Sequence, residues 1–338
     1  MRQITVTQRD AGQRLDKYLA KYLNKAPSGF VYKMLRKKNI TLNGKKAAGN
    51  ERLKPEDEIR MFFSEETFAS FSQVTAVRVK QNLKVIYEDE NILLVNKPWG
   101  ILSQKASSSD VSLNEEIQSY LLEKGEINEE SLRSFRPSVC NRLDRNTSGI
   151  VAAAKTIPAA QYLSEVFRDR SVHKYYHCLT AGTLEKPERI RGYLTKDGKT
   201  NQVRIAREPL GNESAAIETA YRPLGSREGV TLLEVCLITG RSHQIRAHLA
   251  SIGHPIIGDF KYGKESINRA YKTEFGLTCQ LLHSCRLEMP KSQDAFSYLS
   301  GRTFLAPEPE LFRKILKAKG LLSALEGGGH GDVEFQGP

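Results

Sequence analysis

The sequence predicts an α+β protein in two parts, a small basic module ahead of a larger, nearly neutral domain, on three observations. Apolar residues of the first 64 positions recur at helical spacing and then alternate as a strand. From Leu83 onward, segments of strand and helix character are intermixed. Charge is unevenly spread: of the net +12, residues 1–64 carry fifteen Lys and Arg against six Asp and Glu, and the remainder 36 against 33.

In the module, Leu15, Tyr18, Leu19, Tyr22 and Leu23 form one helical stripe, with Lys17 and Lys21 off it. After Pro27, Ser28 is the expected N-cap of a second helix whose core face is Val31, Met34 and Leu35, and whose exposed end is Arg36, Lys37 and Lys38. Ile40, Thr41 and Leu42 then read as a strand running into Asn43-Gly44, a strong hairpin signal, followed by Lys45 and Lys46. The stretch 65–81 is polar, serine-bearing and without clear periodicity, and is expected to be a linker. Strands follow at Val85-Ile86-Tyr87 and Ile92-Leu93-Leu94-Val95 around the acidic turn 88–91, and further strands near 175–180, 231–237 and 281–287. Helices are expected near 113–122 and 159–167. The expected domains are 1–64, then 82–322 after the linker, with 323–338 a glycine-rich, disordered tail.

Several classes are disfavoured. No run approaches eighteen apolar residues and the start has no signal-peptide core, so a cytoplasmic protein without membrane contact is expected. The five cysteines form no C-x-x-C pair, which suggests reduced thiols rather than a disulfide framework or zinc site. His243 and His248, five apart with no third ligand, are poorly spaced for a metal. There is no G-x-S-x-G elbow and no Walker loop.

Two clusters concentrate functional side chains. The first is Asn141-Arg142-Leu143-Asp144-Arg145-Asn146-Thr147-Ser148-Gly149, which serves either as a tight turn carrying a surface ion pair or as a site built on Asp144. The second is Gly240-Arg241-Ser242-His243-Gln244-Ile245-Arg246-Ala247-His248-Leu249, followed by Gly253-His254-Pro255-Ile256-Ile257-Gly258-Asp259.

The first cluster resembles the R-L-D-x-x-T-S-G signature of RluA-type pseudouridine synthases, with Asp144 at the family's single essential aspartate. Asn96-Lys97-Pro98-Trp99-Gly100 is similar to the family's N-K-P-x-G segment, Lys174-Tyr175-Tyr176 to its K-x-Y segment, and the second cluster to a later segment. The module resembles an S-four type RNA-binding domain. Together the resemblance runs from Arg14 to about Leu321. Asn141 and Gln104 stand where the family commonly has histidine, which bears on subfamily and target rather than on the reaction.

The resemblance implies a mixed, mostly antiparallel central sheet with flanking helices, and isomerisation of selected uridines in structured RNA, with large-subunit ribosomal RNA the expected target. It implies no cofactor, since nothing is oxidised, hydrolysed or added, and a monomer is expected. Asp144 would act at the ribose, Arg246 would pair with it, and Tyr176 would lie against the flipped uracil and relay a proton. Arg142 would fill the gap left by the flipped base. Arg241, His243 and Gln244 are expected at the RNA, and Arg36, Lys37, Lys38, Lys45 and Lys46 on the module's RNA face. Two other classes remain in view. One is an RNA-binding protein without chemistry. The other is a hydrolase with Asp259 as a second carboxylate.

Overall fold

The computed structural model describes residues 1–338 except 75, 77, 199, 201 and 328–338. The chain divides into two compact units. Unit 1 comprises Met1–Leu94, Gln104–Asn141 and Ala152–Glu165, and unit 2 comprises Val95–Ser103, Arg142–Val151 and the chain from Val166 onward.

Unit 1 opens with β1 (Arg2–Thr5), α1 (Leu15–Tyr22), α2 (Phe30–Arg36), β2 (Ile40–Leu42), β3 (Lys45–Lys46) and β4 (Glu58–Met61). The predicted stripes of α1 and α2 meet: Leu15, Tyr18, Leu19 and Tyr22 share one core with Val31, Met34 and Leu35. Asn43 and Gly44 both adopt positive φ, 50° and 71°, the geometry of a two-residue hairpin turn, and leave Lys45 and Lys46 exposed. The hairpin belongs to a larger sheet of order β1-β4-β2-β3, in which Ile4 pairs with Ile59. Gly29 rather than Ser28 precedes α2 as its N-cap.

The stretch expected to be a linker begins with a helix, α3 (Glu65–Phe71). The Ser64 hydroxyl accepts from the Thr67 amide at 3.2 Å, and Phe68 is buried in the same core as α1, its ring 5.8 Å from that of Tyr22. One buried aromatic in seven residues is too sparse a pattern for periodicity to register.

The chain continues with β5 (Val85–Glu88), β6 (Ile92–Lys97), α4 (Leu113–Glu123), α5 (Ser131–Ser134), β7 (Ser138–Val139), β8 (Ser148–Ala154) and α6 (Ile157–Arg168). α4 starts on a Ser112/Glu115 capping box. The basic module is tied to the rest of unit 1 through Arg9, whose guanidinium donates to the carbonyls of Glu126 and Lys155 while its own carbonyl accepts from the Ile157 amide. The Tyr22 hydroxyl and Arg2 both bond Glu130.

The later elements of unit 2 are β9 (His173–Ala181), β10 (Glu188–Lys196), β11 (Val203–Ala206), β12 (Ala215–Arg227), β13 (Val230–Leu237), α7 (Gln244–Ser251), α8 (Glu265–Phe275), β14 (Leu282–Glu288), β15 (Thr303–Leu305), α9 (Glu310–Ala318) and α10 (Leu322–Gly327). Its sheet runs β11-β10-β12-β13-β9-β14-β8, with β15 also on β14, and only β14 and β8 pair in parallel. This is the mixed, mostly antiparallel α+β arrangement that the sequence predicts. Leu179, Leu232, Ile257, Phe312 and Leu316 form the centre of one core. The expected tail starts instead with α10, whose Leu322 and Leu325 pack on that core, and 328–338 lie outside the described residues. Among the described residues no helix is long and apolar enough to cross a membrane.

Candidate active site

All groups of the candidate site belong to unit 2. Asp144 lies in the loop between β7 and β8, and backbone and side-chain anchors fix that loop on both sides. Upstream, the Ser103 hydroxyl accepts from the Leu143 amide at 3.0 Å and donates to the Leu143 carbonyl at 2.9 Å. Lys97, fully buried at the end of β6, donates to the carbonyls of Pro98, Ile101 and Arg145 at 3.0, 2.8 and 3.1 Å. The Gly100 amide also donates to the Arg145 carbonyl. The N-K-P-W-G segment is thus a clamp on the aspartate loop.

Downstream, the Thr147 amide closes onto the Asp144 carbonyl at 3.1 Å, Gln280 donates to the Thr147 hydroxyl, and Ser148 bonds His283 at 2.8 Å. Gly149, at φ 115°, lies so close to β14 that a Cβ would stand 2.2 Å from the Ser284 carbonyl oxygen. Any side chain there would push the aspartate loop away from β14 and β9. Ser284 in turn pairs with Tyr176.

The counter-charge comes from α7. Arg246 donates through Nε and Nη2 to both oxygens of Asp259, at 2.7 and 2.9 Å, and through Nη1 to Asp144 Oδ2 at 2.8 Å. Arg246 pairs with Asp144 as expected but through one nitrogen; its bidentate bond is made with Asp259, which is fully buried and also accepts from the amides of Lys261 and Tyr262. Burial alone would lower the Arg246 pKa, yet Asp259 and Asp144 together hold it raised, so the guanidinium is permanently charged. Asp259 is spent on the arginine and is not a second carboxylate facing Asp144, which removes the main support for a hydrolase.

His243 precedes α7 in the left-handed region, φ 56°, a conformation that costs a non-glycine residue about 1 kcal/mol. The Val203 amide donates to the Tyr262 hydroxyl oxygen at 3.1 Å, and that hydroxyl lies 2.8 Å from His243 Nδ1. The Tyr262 hydroxyl thus fixes the orientation of the imidazole through Nδ1. Nε2 faces Asp144 Oδ2 at 3.9 Å, outside hydrogen-bond range. Burial first, with Arg246 and Lys261, outweighs Asp144 and pushes the His243 pKa down, keeping the ring neutral. The Tyr262 ring lies under the Arg246 guanidinium, 5.2 Å away.

Tyr176 is buried on β9 and lines the same cleft as Asp144 and Arg246, whereas Tyr175 takes the opposite face with its ring 3.6 Å from the Arg286 guanidinium. Burial raises the Tyr176 pKa, and Asp144 adds to this against the bond with Ser284. Arg142 and Arg241 also line the cleft, and both are exposed. Gln244, expected at the RNA, is 2% exposed and bonds Thr239, the Arg241 amide, the Glu218 carbonyl and Thr219. With its amide fully used, it shapes the Gly240–His243 loop from within and offers nothing to a ligand. His248 is a buried neutral histidine on Thr219, its pKa pushed down to about 4 by burial.

Asn141, a departure from the family pattern, caps the ladder beside β8 by accepting from the Ala152 amide at 2.7 Å. In the module, Arg36, Lys37, Lys38, Lys45 and Lys46 are exposed and make no ion pair among the described residues. Sequence reasoning assigned no role to Ser103 or Tyr262 and undervalued Asp259. Tyr262 follows Asp259 by three residues, so the recognised segment simply continued further than it was read.

Residues 91–251 match the family model for RNA pseudouridylate synthase, and residues 13–59 that for the S4 domain. Ribosomal large subunit pseudouridine synthase C of Vibrio parahaemolyticus is 32% identical over 289 residues, 82% of this chain and 85% of that protein. The protein of the same name from Escherichia coli is 30% identical over 84% of this chain and 87% of its own. In fold, human RNA Pseudouridylate Synthase Domain Containing 4 covers 71% of this chain and 93% of its own, with a TM-score of 0.55 at 21% identity. The chain belongs to the RNA pseudouridine synthase family, isomerases of RNA uridine, and carries an S4 domain ahead of its catalytic domain.

Proposed function

We propose that Asp144 is the catalytic carboxylate and that the substrate is large-subunit ribosomal RNA, bound by a cytoplasmic monomer. The observation that carries the catalytic reading is the chain of contacts Asp259–Arg246–Asp144, in which a carboxylate 27% exposed at a cleft is held by an arginine that cannot leave. The substrate class rests on relatives of 30–32% identity whose names specify that RNA.

In this reading the target uridine leaves its stack and its base enters the cleft against Tyr176, while Arg142 occupies the space it vacates. Asp144 acts on the ribose, by attack at C1′ or removal of the C2′ proton. Both routes use the carboxylate that Arg246 aims. The C1′–N1 bond breaks, the base turns, C1′ bonds to C5, and the C5 proton is lost while N1 gains one. Tyr176, neutral because of its burial, is a relay for the C5 proton and not a standing base. His243 Nε2 faces the same carboxylate oxygen at 3.9 Å and so borders the space where the ribose would lie. Arg36, Lys37, Lys38, Lys45 and Lys46 supply the docking charge, with Arg241 at the cleft itself.

Release of tritium from ribosomal RNA labelled at uridine C5 tests this directly. Wild type is expected to release it, and Asp144→Asn to fall on the order of 10³-fold or more while binding the RNA equally. Full activity in Asp144→Asn would overturn the assignment, and release from transfer RNA alone would overturn the substrate.

A further inference from the structure

Lys174 lies on β9 two residues before Tyr176 and on the same face, since burial alternates along that strand. It is 8% exposed, yet among the described residues no carboxylate pairs with it and no hydrogen bond reaches its ammonium group. Its stem is packed away while its tip still meets solvent, so the unpaired charge is open to an anion. Burial, with Arg170 beside it, lowers the Lys174 pKa, and the Cys236 thiol is itself held neutral by a pKa that burial pushes up to about 11, so an anion at the ammonium would meet no competing carboxylate.

The position is also specific. The ammonium nitrogen stands 3.8 Å from where a side chain on Gly240 would begin. Gly240 is exposed and opens the Gly240–His243 loop whose Arg241 and His243 line the cleft, which places the lysine tip beside that loop. Leu237, next on β13 after the Cys236 that pairs with Tyr175, lines the same cleft. Two residues along a strand span about 6.6 Å, the scale on which a nucleotide's phosphate stands off from its base.

We propose that Lys174 is the seat of a backbone phosphate of the flipped nucleotide, next to the base site at Tyr176. This rests on the reading of the cleft as the uridine site. It gives the K-x-Y segment two tasks, with the lysine gripping the backbone and the tyrosine facing the base. With no carboxylate to satisfy it, the ammonium is free to pair with a phosphate.

The test compares wild type with Lys174→Met in the tritium-release assay on a ribosomal RNA transcript at several salt concentrations, with melting temperature measured in parallel. The variant is expected to raise KM or lower kcat/KM roughly tenfold, the usual effect of one charged hydrogen bond, and to flatten the log–log salt dependence by about 0.7–0.9. Its melting temperature should hold, because the methionine keeps the packed stem and no ion pair is removed. Unchanged KM and salt slope would overturn the inference while leaving the uridine site intact, as would a lowered melting temperature with normal turnover, which marks a structural lysine. A wild type that releases no tritium from any RNA would remove the underlying reading as well. If Lys174→Met does not fold, Lys174→Gln is read in the same way. Methylphosphonate substitution at the phosphates flanking the mapped uridine then supplies a second readout: it should weaken wild type at one position and leave the Lys174 variant no weaker than before. Equal weakening of both proteins at both positions would overturn the proposal.

Discussion

Positive charge is used in opposite ways in the basic module and in the catalytic domain. Arg36, Lys37, Lys38, Lys45 and Lys46 are exposed, sit at a helix end and a hairpin, and pair with no carboxylate among the described residues. Arg246 is 10% exposed at its side chain and divides its donors between Asp259 and Asp144. Exposed cations act through a field that salt screens, so their number matters more than their exact placement. A buried guanidinium acts through fixed geometry, and losing one partner leaves an uncompensated charge. In the proposed reading the module sets how firmly RNA is held, and the arginine sets whether the reaction proceeds.

The strongest way to break that contrast is Asp259→Asn. It touches no substrate in the proposed reading, but it frees the end of Arg246 that aims the other at Asp144. A catalytic arrangement shifted by about 1 Å loses on the order of 10²-fold in rate. Breaking a buried pair also costs about 3 kcal/mol of stability, readable by urea unfolding. RNA affinity should stay within about twofold of wild type, since no phosphate contact is removed. An unchanged kcat would show that Arg246 needs no anchor.

Next in size is the simultaneous change of Lys37, Lys38, Lys45 and Lys46 to Gln. The log–log salt slope of RNA binding should fall by about 3, with a correspondingly higher KM at moderate salt. Turnover at saturating RNA and the melting temperature should not move. A fall in kcat at normal KM would mean that the module shapes the site rather than delivering the substrate.

The contrast also explains what the sequence made legible. The module could be read because its signals are local: a 3.6-residue stripe and an Asn-Gly turn need no distant partner. Strands β1 and β4 were missed because Arg2–Thr5 and Glu58–Met61 are short, and a pairing such as Ile4 with Ile59 leaves no trace in either segment alone. Recognisable segments named Asp144, Tyr176 and Arg246, but how they are held depends on contacts across 48 positions, Lys97 on Arg145, and across 102, Arg246 on Asp144. Side-chain direction was the other hidden quantity. Gln244 and His243 are adjacent in sequence, yet one is fully used inside the domain and the other faces the carboxylate.

The smallest expected effect separates the two kinds of group by pH. His248 and His283 are neutral in the fold, their pKa values pushed down to about 4 by burial. His283 Nε2 donates to the Ala306 carbonyl, leaving Nδ1 to accept from Ser148. In the unfolded chain each titrates near its ordinary value of about 6.5. Between pH 6.5 and 4 the unfolded state therefore binds protons that the native state refuses, and stability falls as pH drops through that window. His177 runs the other way. Burial alone would lower it, but Cys285 and Glu308 raise it to about 10, so its contribution is complete below about pH 6.5 and is lost as pH rises through 10. The four-lysine variant alters exposed side chains without ion pairs among the described residues and leaves the buried histidines untouched, so it should follow the wild-type melting curve from pH 7 to 4. His283→Asn should start lower at pH 7, having lost packing, and then decline less steeply as pH falls. Parallel curves for His283→Asn and wild type would show that this histidine is not the group resisting protonation.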